Sequence, residues 1–313
     1  MDRFSGDLDG GDAPNLELSG KLESCTCKGE NGQLYPPYFC YSSACMSEDS
    51  PKVVLTIAGF DPSSGAGVTA DLKTISAHRL YGVACITALT VQSTQGVRRI
   101  QPVDPKLVRD TLECLVDDVR PAAVKIGMLG SGEVAAAVAD FLESFHPSNV
   151  VLDPVLRSSS GMELIDEPGV EVIRRRLWSL VDVITPNLQE AGLLADMPVR
   201  DLPSMKEAAT DLLRLSTKAV VITGGHIEDV TDVLAESKPD GTAAFRTYTG
   251  EKVATANTHG TECAFSTSLA CNLAHGLALP DAVQASKNYV AGALRNSYAI
   301  GRGVSPVNHL FRG

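Results

Sequence analysis

The chain has 313 residues, 44% hydrophobic and 21% charged, enough to bury a full core in one large domain. A formal net charge of −11 and a pI of about 5.0 argue against nucleic acid or an anionic membrane as main partner. No apolar run reaches the ~18 residues of a membrane span, and M-D-R-F-S-G-D-L-D-G-G-D lacks the basic start and apolar stretch of a signal peptide, so a cytoplasmic protein is expected.

The first 50 or so residues are rich in Gly, Asp, Ser and Pro and show no sustained apolar period, which predicts disorder or loose packing. Four of the eight cysteines, Cys25, Cys27, Cys40 and Cys45, fall here. A disulfide framework is improbable in a cytosolic chain of this size, and the spacing suits zinc only loosely, so stray thiols in a leader are expected. At Met46 the texture changes to M-S-E-D-S-P and then V-V-L-T-I. The expected division is a dispensable N-terminal extension over 1–47 and a folded domain over 48–313.

From there short apolar runs alternate with helical patterns. Strands are expected over 53–57, 84–90, 123–126, 150–152, 183–184 and 219–222. Helices are expected over 70–77, 105–116, 134–144, 169–180, 190–194, 205–215, 264–275 and 280–297, and a hairpin over 243–248 and 252–256. Near-continuous Val/Ile strands alternating with helices predict a single α/β domain, a mostly parallel central sheet with helices on both faces. Ligands of such sheets collect outside the carboxyl ends of the strands, and each unusual motif follows a strand.

After the first comes A-G-F-D-P-S-S-G-A-G-V-T-A-D-L-K-T, whose glycines let backbone approach a ligand. Asp71 there either favours the positive helix end or accepts hydrogen bonds from a ligand. After the second, in I-T-A-L-T-V-Q-S-T-Q-G-V, the Gln92 carboxamide offers a donor and an acceptor, suiting a ring with nitrogen and an exocyclic amine; the alternative is a polar loop residue. V-K-I-G-M-L-G ends with Met128, packing against a flat ring or plain filler. Asp153 in V-V-L-D-P-V, with Asn187 and Glu190 in V-I-T-P-N-L-Q-E-A, either cap helices or converge on Mg²⁺ through waters. V-V-I-T-G-G-H would place backbone N–H groups beside a polyphosphate. Finally N-T-H-G-T-E-C opens a helix, and its exposed N–H groups make an anion site. Cys263 lies on the first turn, where the helix end lowers a thiol pKa, unless it is simply a buried structural cysteine.

Taken together, in this order and over about residues 53–312, these motifs and the late G-R-G-V-S-P-V-N-H resemble the hydroxymethylpyrimidine kinase/phosphomethylpyrimidine kinase family of thiamine biosynthesis, within the ribokinase-like superfamily. The resemblance implies a ribokinase-like fold and an enzyme dependent on ATP and Mg²⁺ that phosphorylates 4-amino-5-hydroxymethyl-2-methylpyrimidine and then its monophosphate. By motif position Asp71 and Gln92 bind the pyrimidine, with Gly59 and Met128 lining its pocket. Asp153 and Glu190 act around the metal. Asn187, Thr223 and Arg302 lie near the ATP phosphates, Thr223 and Arg302 at positions where relatives carry Lys. Gly260, Thr261 and Cys263 form the anion hole. A homodimer is expected by analogy with the superfamily.

One departure stands out: the family's G-T-G-C reads Gly260-Thr261-Glu262-Cys263. Replacing glycine removes access to positive φ, and a carboxylate opposes a γ-phosphate by about 4 kcal/mol at 4 Å and an effective dielectric near 20. Either Glu262 points outward as a favourable acid at a helix start, or catalysis is impaired and a vitamer-binding protein remains. The rival enzyme is a pyridoxal kinase.

Overall fold

The computed structural model describes residues 27–28, 34–35, 50–158, 161–215, 217–225 and 230–312, and the chain divides into two units, Met1–Ser50 and Pro51–Gly313. In the first unit Cys27–Lys28 (β1) pairs antiparallel with Leu34–Tyr35 (β2). The expected disorder of the leader and the state of Cys25, Cys40 and Cys45 otherwise fall outside the described residues.

The second unit is built on a nine-stranded sheet. Its strands are Val53–Phe60 (β3), Tyr81–Ser93 (β4), Gly96–Pro102 (β5), Ala123–Ile126 (β6), Val150–Leu152 (β7), Val183–Ile184 (β8), Ala219–Ile222 (β9), Asp232–Ser237 (β10) and Ala243–Tyr248 (β11). They lie in the order β11-β10-β9-β8-β7-β6-β3-β4-β5. The pairs from β9 across to β4 are parallel, while β5 closes one edge and the β10–β11 hairpin the other in antiparallel fashion. Successive residues of the short strands serve opposite faces, as strand geometry demands. Val54, Ala123, Val151 and Val183 pack with Ile75 of Gly67–Ala77 (α1), Phe265 and Leu269 of Thr261–His275 (α8), and Val283 of Leu279–Arg295 (α9). Leu55, Val124, Val150 and Ile184 pack with Leu112 of Pro105–Asp118 (α2), Val138 of Gly132–Phe145 (α3), Ala191 of Leu188–Ala195 (α6) and Met205 of Leu202–Leu213 (α7). Between α3 and α6 the chain runs as Glu167–Val172 (α4), a π turn over Ile173–Leu177, and Trp178–Leu180 (α5).

The hairpin expected over 243–248 and 252–256 is corrected. β11 pairs instead with β10, and the residues after Tyr248 form no strand. The turn is built by K-P-D-G-T, where Gly241 takes φ +80 and Asp240 accepts from the Thr242 N–H. Because the core strands are parallel, their carboxyl ends bring Asp61, Gln92, Met128, Asp153, Asn187 and Thr223 to one edge of the sheet. No helix among the described residues is long and apolar enough to cross a membrane.

Candidate active site

The loop after β3 is organised by one buried carboxylate. Asp61 Oδ1 accepts from the Ser63 N–H and hydroxyl at 2.8 and 2.7 Å, and Oδ2 accepts from the Gly65 and Ala66 N–H groups at 3.3 and 3.0 Å. Burial pushes the Asp61 pKa up, but the hydrogen bonds from His259 and Ser63 outweigh it and hold the carboxyl below the usual range. This loop folds tightly against the turn at the head of α8. Gly260, the N-cap of that helix, sits at φ +82, and a Cβ there would lie 1.9 Å from the Gly65 carbonyl oxygen. Only glycine fits both demands.

The head of α8 has no side-chain cap; Ala264 N–H reaches the Gly260 carbonyl, and Thr261 N–H reaches Thr258. The N–H groups of Glu262 and Cys263 have no hydrogen-bond partner among the described residues. Such an end is suited to an anion. Beside it, His259 Nε2 lies 2.8 Å from Asp61 Oδ2 and 3.4 Å from the Gln92 carboxamide. Gln92 therefore faces the anion turn. Gly59 adjoins the same region: a Cβ on it would be 2.9 Å from Met128 Sδ. Met128 in turn packs in a small apolar cluster with Ala88 and Leu164.

On the other flank stand the carboxylates. Asn187 caps α6, accepting from the Gln189 and Glu190 N–H groups, and Glu190 returns the contact by accepting from the Asn187 N–H at 3.1 Å. The other Glu190 oxygen accepts from the Leu156 N–H. Thr223 bridges to Asn187 and donates its N–H to Pro186, so these two residues lie side by side. Asp153 is 1% exposed; Oδ2 accepts from Ser266 Oγ at 3.0 Å, while Oδ1 is buried with no partner. Burial raises its pKa to about 7, Lys125 opposing and Glu262 reinforcing the rise. Glu190 is pushed well above the ordinary range by burial and by the charges of Glu262 and Asp153.

Four expectations change at this point. Glu262 does not point outward: it is half-buried and accepts from Asn187 Nδ2 at 3.0 Å. Nor does it need positive φ, which belongs to Gly260. Cys263 is not a low-pKa thiol, because burial pushes it up to about 12, further than Lys125 and a backbone N–H pull it down. Asp71 is fully enclosed, its oxygens taken by Thr56, Thr267 and Lys125, the last at 3.0 and 3.1 Å, and no free face meets a ligand. Arg302 is exposed, and its flanking glycines pack on Thr94 at the β4–β5 turn, on the Gln92 side rather than beside Asn187 and Thr223. His226 of G-G-H lies outside the described residues.

Asp61, His259, Lys125 and Ser266 were given no role from the sequence. Lys125 had a signal: a lone cation within an apolar strand, which is almost never fully buried unless paired. It is 0% exposed and paired with Asp71. Asp61, His259 and Ser266 read as ordinary loop and helix residues until the fold brings their partners close.

Comparison with known proteins identifies the family. Residues 61–308 match the family described as phosphomethylpyrimidine kinase. The hydroxymethylpyrimidine/phosphomethylpyrimidine kinase of Aquifex aeolicus is 38% identical over 253 residues, 80% of this chain and 97% of that protein. The thiamine biosynthesis bifunctional protein ThiED of Geobacter sulfurreducens is 40% identical over 259 residues, 82% of this chain, which spans only 52% of that longer protein. Among solved structures, the ADP complex of Bacillus subtilis pyridoxal kinase superposes with a TM-score of 0.75 at 31% identity, covering 83% of this chain and 98% of that one. A match over most of the folded unit, with relatives at this identity, places the chain in the phosphomethylpyrimidine kinase family, on a ribokinase-like fold.

Proposed function

We propose that the protein transfers the terminal phosphoryl group of ATP to the hydroxyl of 4-amino-5-hydroxymethyl-2-methylpyrimidine, and then to the phosphate of that product. The observation that carries this reading is that the Gln92 carboxamide and the uncapped head of α8 lie together, linked through His259. Phosphoryl transfer needs positioning and charge compensation more than covalent work by the protein. Gln92 orients the ring, with Gly59 and Met128 beside it. The N–H groups at Glu262 and Cys263 stabilise charge growing on the transferred group, and Asn187 and Thr223 flank the nucleotide phosphates. Asp71 acts from beneath, through Lys125, rather than by touching the pyrimidine. With its thiol protonated at neutral pH, Cys263 shapes the hole rather than accepting the hydroxyl proton.

The residues present fit Mg²⁺. An unpartnered, buried carboxylate oxygen on Asp153 is the hard donor this ion takes, with Glu190 beside it. Bound there, the ion would neutralise phosphate charge. Among the described residues no group of three acidic, His or Cys side chains is arranged to hold a metal ion. We take the working unit to be a cytoplasmic homodimer, by analogy.

The test is ADP release with Mg-ATP and, in turn, the pyrimidine alcohol, its monophosphate and pyridoxal. Turnover of both pyrimidines is expected, with kcat/KM at least about tenfold above pyridoxal. The reverse preference would install the second reading, a pyridoxal kinase, the activity named for the B. subtilis structural neighbour. Pyrimidine binding without ADP release would leave a vitamer-binding protein.

A further inference from the structure

We propose that His259, clamped by the buried carboxylate of Asp61, is a positioning residue that sets which way the Gln92 amide faces and thereby separates aminopyrimidine from pyridine acceptors. The inference rests on the acceptor role of Gln92 proposed above.

Asp61 receives hydrogen bonds from Ser63, Gly65 and Ala66, so it acts purely as an acceptor. His259 Nε2, 2.8 Å from Asp61 Oδ2, must then carry a hydrogen. The same nitrogen lies 3.4 Å from Gln92 Nε2. An amide NH₂ facing that N–H would repel it, whereas an amide oxygen would share it. Thr90 supplies the second constraint. Its hydroxyl has one hydrogen, within reach of the Phe60 carbonyl at 2.9 Å and of Gln92 Oε1 at 3.1 Å; donated to Phe60, it leaves the Gln92 contact to be served by an amide N–H once the carboxamide makes a half-turn. A carboxamide can exchange its nitrogen and oxygen by a half-turn. Both constraints select the half-turned amide, oxygen towards His259 and NH₂ towards Thr90, the reverse of the Nε2 and Oε1 positions in the structure. What remains for a ligand is one N–H and one oxygen lone pair in fixed order. A ring nitrogen flanked by an exocyclic amine complements that pair; a pyridine carrying a ring hydroxyl does not.

The imidazole is held without relying on its own hydrogen bond alone. Gly65 packs flat against it, since a Cβ there would be 2.2 Å from His259 Cδ2. The backbone of His259 is fixed separately, its N–H donating to Ser305 and its carbonyl accepting from Val307. Side-chain variants should therefore leave the turn at Gly260 in place.

The experiment compares wild type with His259→Leu, which keeps bulk but loses the donor, and with His259→Gln, which returns an N–H at the reach of Nε2. With His259→Leu the aminopyrimidine KM should rise at least about tenfold, while kcat, the KM for ATP and kcat/KM for pyridoxal stay within about threefold. His259→Gln should bring the aminopyrimidine KM back to within about threefold of wild type. Equal losses on both acceptors, a matching rise in the KM for ATP, or no rescue would overturn the proposal. Calorimetry with the aminopyrimidine alone separates this inference from the enzyme assignment. If wild type binds without turnover, the assignment falls, yet a Kd about tenfold weaker in His259→Leu still supports the clamp. An unchanged Kd, or no binding by wild type, overturns it.

Discussion

At Glu262 the family's glycine turn carries a carboxylate, and the structure separates the two effects this has. The backbone effect vanishes, because Glu262 lies inside α8 and the left-handed residue is Gly260. The electrostatic effect stays, since the carboxylate is turned onto Asn187 and adds to the charge felt by Asp153 and Glu190. A γ-phosphate bound at the head of α8, as proposed, would meet that charge at close range. Glu262→Gly is expected to raise kcat at least about tenfold at saturating pyrimidine, a gain of roughly 1.4 kcal/mol, well inside the Coulomb range for such a pair. Glu262→Gln keeps an acceptor for Asn187 while removing the charge, and should recover most of that gain; ADP-release kinetics on the two variants checks it. Unchanged rates in both would show that the carboxylate is harmless where it lies. Glu262 was legible as an anomaly in the sequence, but its direction was not, because the choice between solvent and Asn187 depends on α6 lying opposite α8.

Among the elements, the packing of the Asp61–Ala66 loop on the first turn of α8 decides whether an anion site exists at all. The loop has its own carboxylate to satisfy its N–H groups, and α8 is left uncapped beside it. Gly260→Ala forces a Cβ into the Gly65 carbonyl and strains a left-handed φ. It should cost about 1–3 kcal/mol of stability from backbone strain and reduce turnover more steeply than any loss of fold explains. Urea denaturation alongside ADP release would measure both, and a variant with normal activity would disconnect this contact from catalysis. Most elements were legible from period and punctuation: β6, β7, β8 and β9 coincide with the Val/Ile runs. The β5 edge, with G-V-R-R-I-Q-P, was not, because a polar edge strand lacks the continuous apolar signature of a buried parallel strand; nor was the interior strand β10, whose apolar run is only V-L-A between Asp232 and Glu236.

Across the whole unit, residues distant in sequence hold the site from behind. His309 is 2% exposed and joins Thr74 Oγ1 to the Gly65 carbonyl, each at 3.2 Å, so its Nε2–H donates to Gly65 and Nδ1 accepts from Thr74. Burial lowers its pKa to about 4, outweighing the help of the Gly65 carbonyl. The sign follows: the unfolded chain takes up this proton near pH 6.5 and the folded one only near 4, so stability is full above that window and is lost as pH falls through it. The contribution is at most about 3 kcal/mol. Thermal unfolding of wild type should drop between pH 6.5 and 4 more steeply than that of His309→Gln, and parallel curves would remove His309 from the account.

The alternation of the core strands with helices, the parallel sheet, and the set of strand ends that carry unusual residues are determined by the sequence alone, since period, turn residues and apolar runs are local properties, whereas β5 and the β10–β11 pairing emerged only in the fold. Which of those residues face a ligand was decided only by tertiary structure. Burial and charge pairing are sums over neighbours far apart in the chain. They enclose Asp71 beneath Lys125, raise the Cys263 thiol to about 12, and turn Glu262 inward.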